Sequence, residues 1–422
     1  MIIRVPAKFR KLYEIRCYLS IYFTVHVLYP YCRQELQDSG LRHLLTMHLY
    51  LHIPFCKQAC HYCDFHFTTN LSQKRPLVAA MVQEIAQRYA YLPDRKLHTI
   101  YFGGGTPSLL TETELDLLFR AIYQHFSLVN SPDGQPPEIT LEANPDDLTD
   151  PARLAMLRRY VNRLSIGIQT FDEETLRWMN RAHTANEAEM AVYRAREAGF
   201  DNLSIDLIYG ISNQIWPRDL EKALALDVPH ISAYNLTIEP DTAFGRWLAR
   251  GKLTPVDESL SVTQFTELVS ALTDGGYSHY EISNFAKPDH HARHNTAYWQ
   301  QRPYLGIGPS AHSYDGSSRQ HNLANNSLYI KGITAGKSIS EREILTPADK
   351  VNEYLLTGLR TIWGCEVGEL DTLLGESFLA RQAAELGKLQ QLGWLICGEN
   401  TLKLTESGKL FADRVASDLF VE

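Results

Sequence analysis

Six short apolar runs of β type, roughly residues 48–53, 98–102, 138–142, 163–168, 202–208 and 230–236, alternate with stretches patterned as amphipathic helices. This alternation constrains the fold more than anything else in the chain. Strand–helix units in series return the chain to the same end of a sheet each time, so the strands run parallel with right-handed crossovers. The helices are well punctuated. Leu77, Met81 and Ile85 recur at helical spacing before Pro93, and Thr111-Glu-Thr-Glu114 has the form of a capping box. Asp150-Pro151 supplies an N-cap followed by proline at the first helical position. An open doubly wound sheet and a partial barrel both fit this α/β pattern, and periodicity does not choose between them.

In parallel α/β folds, ligands bind beyond the carboxyl ends of the strands. Here the first run leads into a cysteine-rich loop and the second into Gly103-Gly104-Gly105-Thr106-Pro107. The third ends at Glu142, the fourth at Gln169, the fifth near Asp206 and the sixth near Thr237. Polar groups at successive strand ends would face one ligand from several sides.

The loop reads Cys56-Lys-Gln-Ala-Cys60-His-Tyr-Cys63, a C-x3-C-x2-C spacing. Thiolates this close can converge on one centre, and soft sulfur selects zinc, Cu(I) or an iron–sulfur cluster. The next cysteine along the chain is Cys365, so the local set has three ligands. That suggests a cluster with one open iron. Zinc completed by His52, His61 or His66, and a chance grouping, remain as alternatives. The glycine run lacks the lysine of a P-loop and the spacing of G-x-G-x-x-G, so it gives no sign of nucleotide phosphates. It permits either close backbone approach to a ligand or a tight strand–helix turn.

Cys56, Cys60 and Cys63, with Tyr62 before the third, resemble the signature of the radical S-adenosylmethionine (SAM) superfamily. The flanking Leu49-Tyr-Leu-His-Ile-Pro-Phe-Cys56 resembles the coproporphyrinogen dehydrogenase group, which includes the HemW heme chaperones. The resemblance runs from Met47 nearly to the C-terminus. It implies a partial (β/α)6 radical SAM barrel followed by a small α+β, winged-helix-like C-terminal domain. It also implies a [4Fe–4S] cluster on the three cysteines, with SAM on the fourth iron. By the same carry-over, Gly104, Gly105 and Thr106 hold the methionine end of SAM. Tyr50, Tyr62, Glu142, Gln169, Arg181 and Asp206 supply further SAM contacts, with Thr237 a weaker match. Physically the set is coherent, since an arginine pairs a carboxylate in bidentate fashion. A carboxylate such as Asp206 inside an apolar run is costly unless partnered.

Further along, His294-Asn295-Thr-Ala-Tyr298-Trp299 resembles the HNxxYW motif associated with heme in HemW proteins. It makes His294 the candidate heme ligand. Read from composition alone, the same stretch is a loop of solvated histidines with a buried Tyr-Trp pair. Coproporphyrinogen III dehydrogenases of this group carry an extra cysteine two residues after the third, and here that position is Phe65. The resemblance therefore implies a heme chaperone, with heme and an acceptor hemoprotein as partners, and an electron donor if SAM is cleaved. The alternative it leaves is the oxygen-independent dehydrogenase, which oxidatively decarboxylates porphyrinogen propionates.

Composition trims the remaining classes. The net charge is −8, and residues 350–422, where helices precede a probable hairpin, hold more acids than bases, so nucleic acid is not the partner. Seven cysteines in 422 residues, three of them grouped, point to a reducing, cytoplasmic setting. The segment Tyr18–Tyr29 is too short and too broken to span a membrane. The expected organisation is an N-terminal extension or start-site artefact over 1–46 and a radical SAM core over 47–285. A linker and heme-side segment follows over 286–345, then the C-terminal domain over 346–422.

Overall fold

The computed structural model describes residues 46–212 and 214–422, so the expectations for the first 45 residues lie outside the described part. Six parallel strands form in chain order: β1 (Met47–Ile53), β2 (Lys96–Gly104), β3 (Glu138–Ala143), β4 (Arg163–Gln169), β5 (Asn202–Tyr209) and β6 (His230–Asn235). Each pairs with the next in parallel register. This is the expected partial barrel.

Both faces of these strands are buried, but by different chemistry. Leu49, Leu51, Ile100, Phe102, Leu141, Leu164, Ile205 and Ile231 point outward and are fully buried beneath the helices. The alternate residues face one another in the lumen and are polar. His48 lies 2.8 Å from Thr99, Tyr101 donates to Glu142 at 2.8 Å, and Ser165 donates to Asp206 at 3.3 Å. Ser204 and His230 are 2.7 Å apart. A (β/α)8 barrel of the usual kind fills its interior with branched apolar side chains. This lumen is instead a hydrogen-bonded polar interior.

The helices start where the sequence signals them. Thr111 and Glu114 form a reciprocal capping box on Glu112–His125, and Asp150 caps Pro151–Arg158 through Ala152 N. The helix Lys74–Arg88 turns Leu77, Met81 and Ile85 to the core, as their spacing requires.

The sheet does not close on itself. Beyond β6 lies a tight antiparallel pair, β7 (Ser278–Glu281) and β8 (Asn284–Ala286), with β8 bonded to β6. On the other edge, β9 (Tyr304–Ile307) runs parallel to β1. It continues antiparallel through β10 (His312–Tyr314), β11 (Ser318–Asn322) and β12 (Ser340–Ile344). The stretch 286–345, expected to be a linker and heme-side segment, carries four strands of the main sheet. Of these, β10 to β12 are short and polar, as in Ser318-Arg-Gln-His-Asn322, with little apolar run to reveal them.

Glu84 locks this extension to the barrel. It is completely buried on the helix Lys74–Arg88, yet it accepts from Gly308 N at 2.8 Å, Asn322 Nδ2 at 2.7 Å, Tyr329 OH at 2.5 Å and Arg88 Nη1 at 2.9 Å. A buried carboxylate is tolerable only when its oxygens are satisfied in this way.

The C-terminal part begins with helix Pro347–Gly358 and includes helices Val367–Leu374 and Ala383–Gln391. It also carries a three-stranded antiparallel sheet of Cys365–Glu366, Thr401–Leu404 and Leu395–Cys397. It is stitched to the barrel through Ile282 N to Arg360 O at 3.1 Å and Ile362 N to Tyr280 O at 3.0 Å. Among the described residues, no helix is long and apolar enough to cross a membrane.

Candidate active site

The cysteine loop leaves the carboxyl end of β1 and is tied on both sides. Gly105 N donates to Ile53 O at 2.9 Å and Thr106 N to Phe55 O at 2.7 Å, so the glycine run is bonded along the start of the loop. A Cβ on Gly105 would fall 2.8 Å from Ile53 O, Phe55 N and Phe55 O, which explains the glycine. The far side is fixed by His61 N to Met179 O at 3.0 Å, and by Asn180 Nδ2 to Ala59 O at 2.7 Å.

Cys56, Cys60 and Cys63 are all free thiols. Burial pushes the Cys56 thiol up to about 11 and that of Cys63 up to about 12. Thr106 is hydrogen-bonded to Cys56, and Arg181 Nη1 stands 3.3 Å from Cys60 Sγ. Among the described residues, no three His, Cys, Asp or Glu side chains are spaced to hold a single metal ion. Three thiols on one loop match the ligand count of a four-iron cluster that keeps one iron open. Of the histidines named as zinc alternatives, His52 has both ring nitrogens engaged, the second by Tyr50 OH, while His61 and His66 each have one nitrogen bonded. His52 lies 2.9 Å from His66 O, His61 2.8 Å from Trp178 O, and His66 2.8 Å from Asn326 Oδ1.

Arg181 is the hub of the surrounding groups. Besides Cys60 it donates to Gly167 O at 2.6 Å, Asn144 Oδ1 at 2.7 Å and Tyr62 OH at 3.4 Å. Its Nε is buried with no hydrogen-bond partner, an orphan donor that suits an incoming carboxylate. A Cβ on Gly167 would fall 2.9 Å from Gln169 Nε2, so that side chain would have to shift, and would touch Arg181 and Asn144 at ordinary contact distance. Gln169 itself is a buried non-glycine residue at φ 70°, strain of the kind kept at ligand sites.

Glu142 lies just below. It accepts from Tyr101 OH at 2.8 Å and Gly104 N at 3.1 Å, and burial raises its pKa. Asp206, one layer deeper, is pushed up to about 7 by burial and by the nearby Glu142. Tyr50 completes this layer, stacked 6.1 Å from Tyr101 with its hydroxyl 3.1 Å from His52 Nδ1. Tyr62 packs against the apolar cluster of Met179, Ile208, Ile211, Leu236 and Phe244 under the loop.

The sequence-predicted residues thus gather at the carboxyl end of the strands or line the lumen directly beneath, with two exceptions. Thr237 is exposed and bonds only weakly to Asn235 O, at 3.5 Å. His294 lies at the opposite end of the barrel, between His48 of β1 and Thr99 of β2. Its ring nitrogens are 2.5 Å from Thr99 Oγ1 and 2.8 Å from Tyr298 OH, and its backbone N donates to Glu138 at 3.0 Å. Burial drives its pKa well below the usual histidine value. With both nitrogens engaged, this imidazole closes the floor of the barrel. Sequence reasoning missed Asn144 and Gly167. Asn144 bridges Arg181 to Thr106 Oγ1, at 3.2 Å from the latter, and only its place two residues after Glu142 hinted at it.

Residues 50–225 match the family model of the radical SAM superfamily. The heme chaperone HemW of Lactococcus lactis is 33% identical over 362 residues, covering 85% of this chain and 93% of that protein. HemW of Bacillus subtilis is 33% identical over 374 residues, covering 87% and 97%.

The chain belongs to the HemW family of radical SAM proteins.

HemW of Escherichia coli is 32% identical over 379 residues, with 87% and 96% covered. Among solved structures, the coproporphyrinogen III oxidase HemN of Escherichia coli superposes with a TM-score of 0.76 over 92% of this chain and 93% of its own, at 24% identity. That likeness establishes a shared fold. Radical SAM membership implies a [4Fe–4S] cluster and SAM. The three thiols, the orphan Nε of Arg181 and the glycine-lined loop fit both groups. Phe65, two residues after the third cysteine, is 43% exposed beside the cysteine loop.

Proposed function

We propose that this protein is a cytoplasmic heme chaperone that binds heme and passes it to an acceptor hemoprotein. The observation that carries the reading is Phe65. It follows the third cysteine where the oxidases of the group carry a further cysteine, in a chain that aligns with HemW proteins over most of its length.

In this reading Cys56, Cys60 and Cys63 hold the cluster. Gly104, Gly105, Thr106, Glu142, Gln169, Arg181 and Asp206, with Tyr50 and Tyr62, form the SAM cradle. When bound, the cluster and SAM would supply one-electron chemistry, with the electron drawn from an external donor. The chain's own residues bind, orient and shield. Arg181 places a fixed positive charge where a carboxylate would dock, and Glu142 and Asp206 offer acceptors to amine or ribose hydroxyl groups. The apolar cluster beneath Tyr62 keeps water from the loop's inner side.

The test is direct. The reconstituted protein is titrated with heme, and separately incubated with coproporphyrinogen III, SAM and a reductant. Stoichiometric heme binding without decarboxylation supports the chaperone. Sustained turnover to protoporphyrinogen would replace it with the oxidase reading.

A further inference from the structure

A groove of about 450 Å³ runs between the barrel and the C-terminal part. Its floor holds Tyr209 and Asn235, the last residues of β5 and β6, with Phe265 from the helix Glu258–Asp274. Its outer wall is the segment Lys409–Arg414, and Arg360 closes one side. The groove is at the same end of the barrel as the cysteine loop. Ile208 and Leu236, adjacent in the chain to Tyr209 and Asn235, belong to the apolar cluster that packs on Tyr62.

Three features mark it as built for an amphipathic anion. Its rim exposes apolar groups, with Val262 at 45%, Leu410 at 38% and Phe411 at 40% accessible. Its lining holds the cations Arg360, Lys409 and Arg414 against one carboxylate, Asp413, in a chain of net charge −8. The ion pairs these cations make, Arg360 with Asp413, Lys409 with Glu406 and Arg414 with Asp418, each have a partly exposed member. Such pairs are worth little and exchange readily. Finally, two polar atoms in its walls, Arg360 Nε and Ser261 Oγ, are buried without a hydrogen-bond partner. Buried donors of this kind call for an acceptor.

The heme-associated motif reaches this groove through its tryptophan. Arg360 lies over the Trp299 ring at 5.7 Å, so Trp299 supports the groove's central cation while His294 closes the barrel floor.

We propose that this groove is the tetrapyrrole site: the apolar rim covers the macrocycle, and Arg360 with the flanking cations receives its propionate carboxylates. The proposal rests on the heme-chaperone reading and adds its location. Recognition runs through the periphery of the macrocycle, so iron is not required for binding.

The experiment titrates the full chain, with reconstituted cluster, with heme, iron-free protoporphyrin IX and protoporphyrin dimethyl ester, following the Soret band. The wild type binds the first two comparably and the ester about tenfold or more weakly. Val262→Trp, which fills the groove from an exposed position, and Arg414→Glu, on the exposed rim, weaken both acids by a similar factor. Neither variant shifts the thermal midpoint or the cluster content. Arg360→Gln is the companion test of the central cation. Heme binding by the wild type that both rim variants retain in full would move the site elsewhere while leaving the chaperone reading intact. A wild type that binds no tetrapyrrole would overturn both.

Discussion

Arg181 Nη1 stands 3.3 Å from Cys60 Sγ while the neighbouring Nη2 is anchored on Gly167 O and Asn144 Oδ1, at 2.6 and 2.7 Å. One guanidinium thus couples the cysteine loop to strands β3 and β4, and its remaining Nε is free for a ligand. Lysine has a single ammonium on a flexible stem and cannot reproduce this fork.

Arg181→Lys is therefore expected to keep the fold but lower SAM affinity by about tenfold to a hundredfold, the loss of one or two charge-assisted hydrogen bonds. Isothermal titration of the reconstituted protein with SAM measures it. Unchanged affinity with intact iron and sulfide content would remove Arg181 from the SAM cradle.

Gly105→Ala separates glycine as a backbone device from glycine as an incidental turn residue. The added methyl would meet three backbone atoms at 2.8 Å, none of which belongs to a side chain that could swing away. The cysteine loop must shift, so iron and acid-labile sulfide per chain should drop to less than half, at roughly 1–3 kcal/mol of lost stability. A fully loaded cluster in the variant would show that the loop tolerates displacement.

Glu84 has no part in the proposed chemistry and tests the architecture instead. Removing its carboxylate takes the acceptor from Gly308 N and Tyr329 OH, and one of the acceptors from Asn322 Nδ2 and Arg88 Nη1. Glu84→Ala should cost roughly 3–5 kcal/mol, the range for breaking a buried charge pair, and Glu84→Gln less. Urea unfolding monitored by fluorescence reads the difference. A cost below about 1 kcal/mol would mean the sheet extension is held by other contacts.

How much of this was legible in advance depended on which physical signal each residue left in the chain. β1 to β6 announced themselves because one full face of each is apolar. Their observed limits, Met47–Ile53 for the first, lie within a couple of residues of the apolar runs. The cysteine loop and its glycine partner were readable because spacing and composition alone carry their chemistry. The strands β10 to β12 were not, because Ser318–Asn322 and Ser340–Ile344 are polar strands stabilised by neighbours far away in sequence, such as Glu84. Asn144 and Gly167 act through the space they share with Arg181, which no local pattern encodes. The floor position of His294 was hidden for a related reason. A motif can identify a histidine, but only packing shows that both its nitrogens are used.

Glu281 gives a pH signature. It is buried where β7 turns to β8, accepts from Ser283 N at 3.2 Å and from the Asn284 amide, and burial pushes its pKa from 4.5 up to about 7. Between those values the folded protein holds a proton that the unfolded chain has released. Stability should be greatest below about pH 4.5 as far as this group is concerned, fall as the pH rises through 7, and level off above, a swing of roughly 3 kcal/mol. Asp206 titrates in the same window, so the wild-type curve carries both groups. Glu281→Gln mimics the protonated form and should flatten part of the slope. Denaturant unfolding at pH 5 and pH 8 compares them, and a variant with the wild-type slope would assign the dependence elsewhere.

His294 bridges Thr99 and Tyr298, its ring packs 5.0 Å from that of Tyr101, and its amide shares the Glu138 carboxylate with Arg293 N. Replacing it with alanine removes the shared partner of two buried hydroxyls and leaves a void beneath the polar lumen. Both effects destabilise, together by roughly 3 kcal/mol. Because the ring is committed on both sides, its loss should act through stability. His294→Ala should melt several degrees lower, yet below its transition it should keep its cluster and bind heme as the wild type does. Calorimetry and Soret titration on the same preparation decide the point. A variant that keeps the wild-type melting temperature but loses heme would mean that His294 turns out of the floor to meet iron. The barrel would then have to open at the end opposite the cysteine loop.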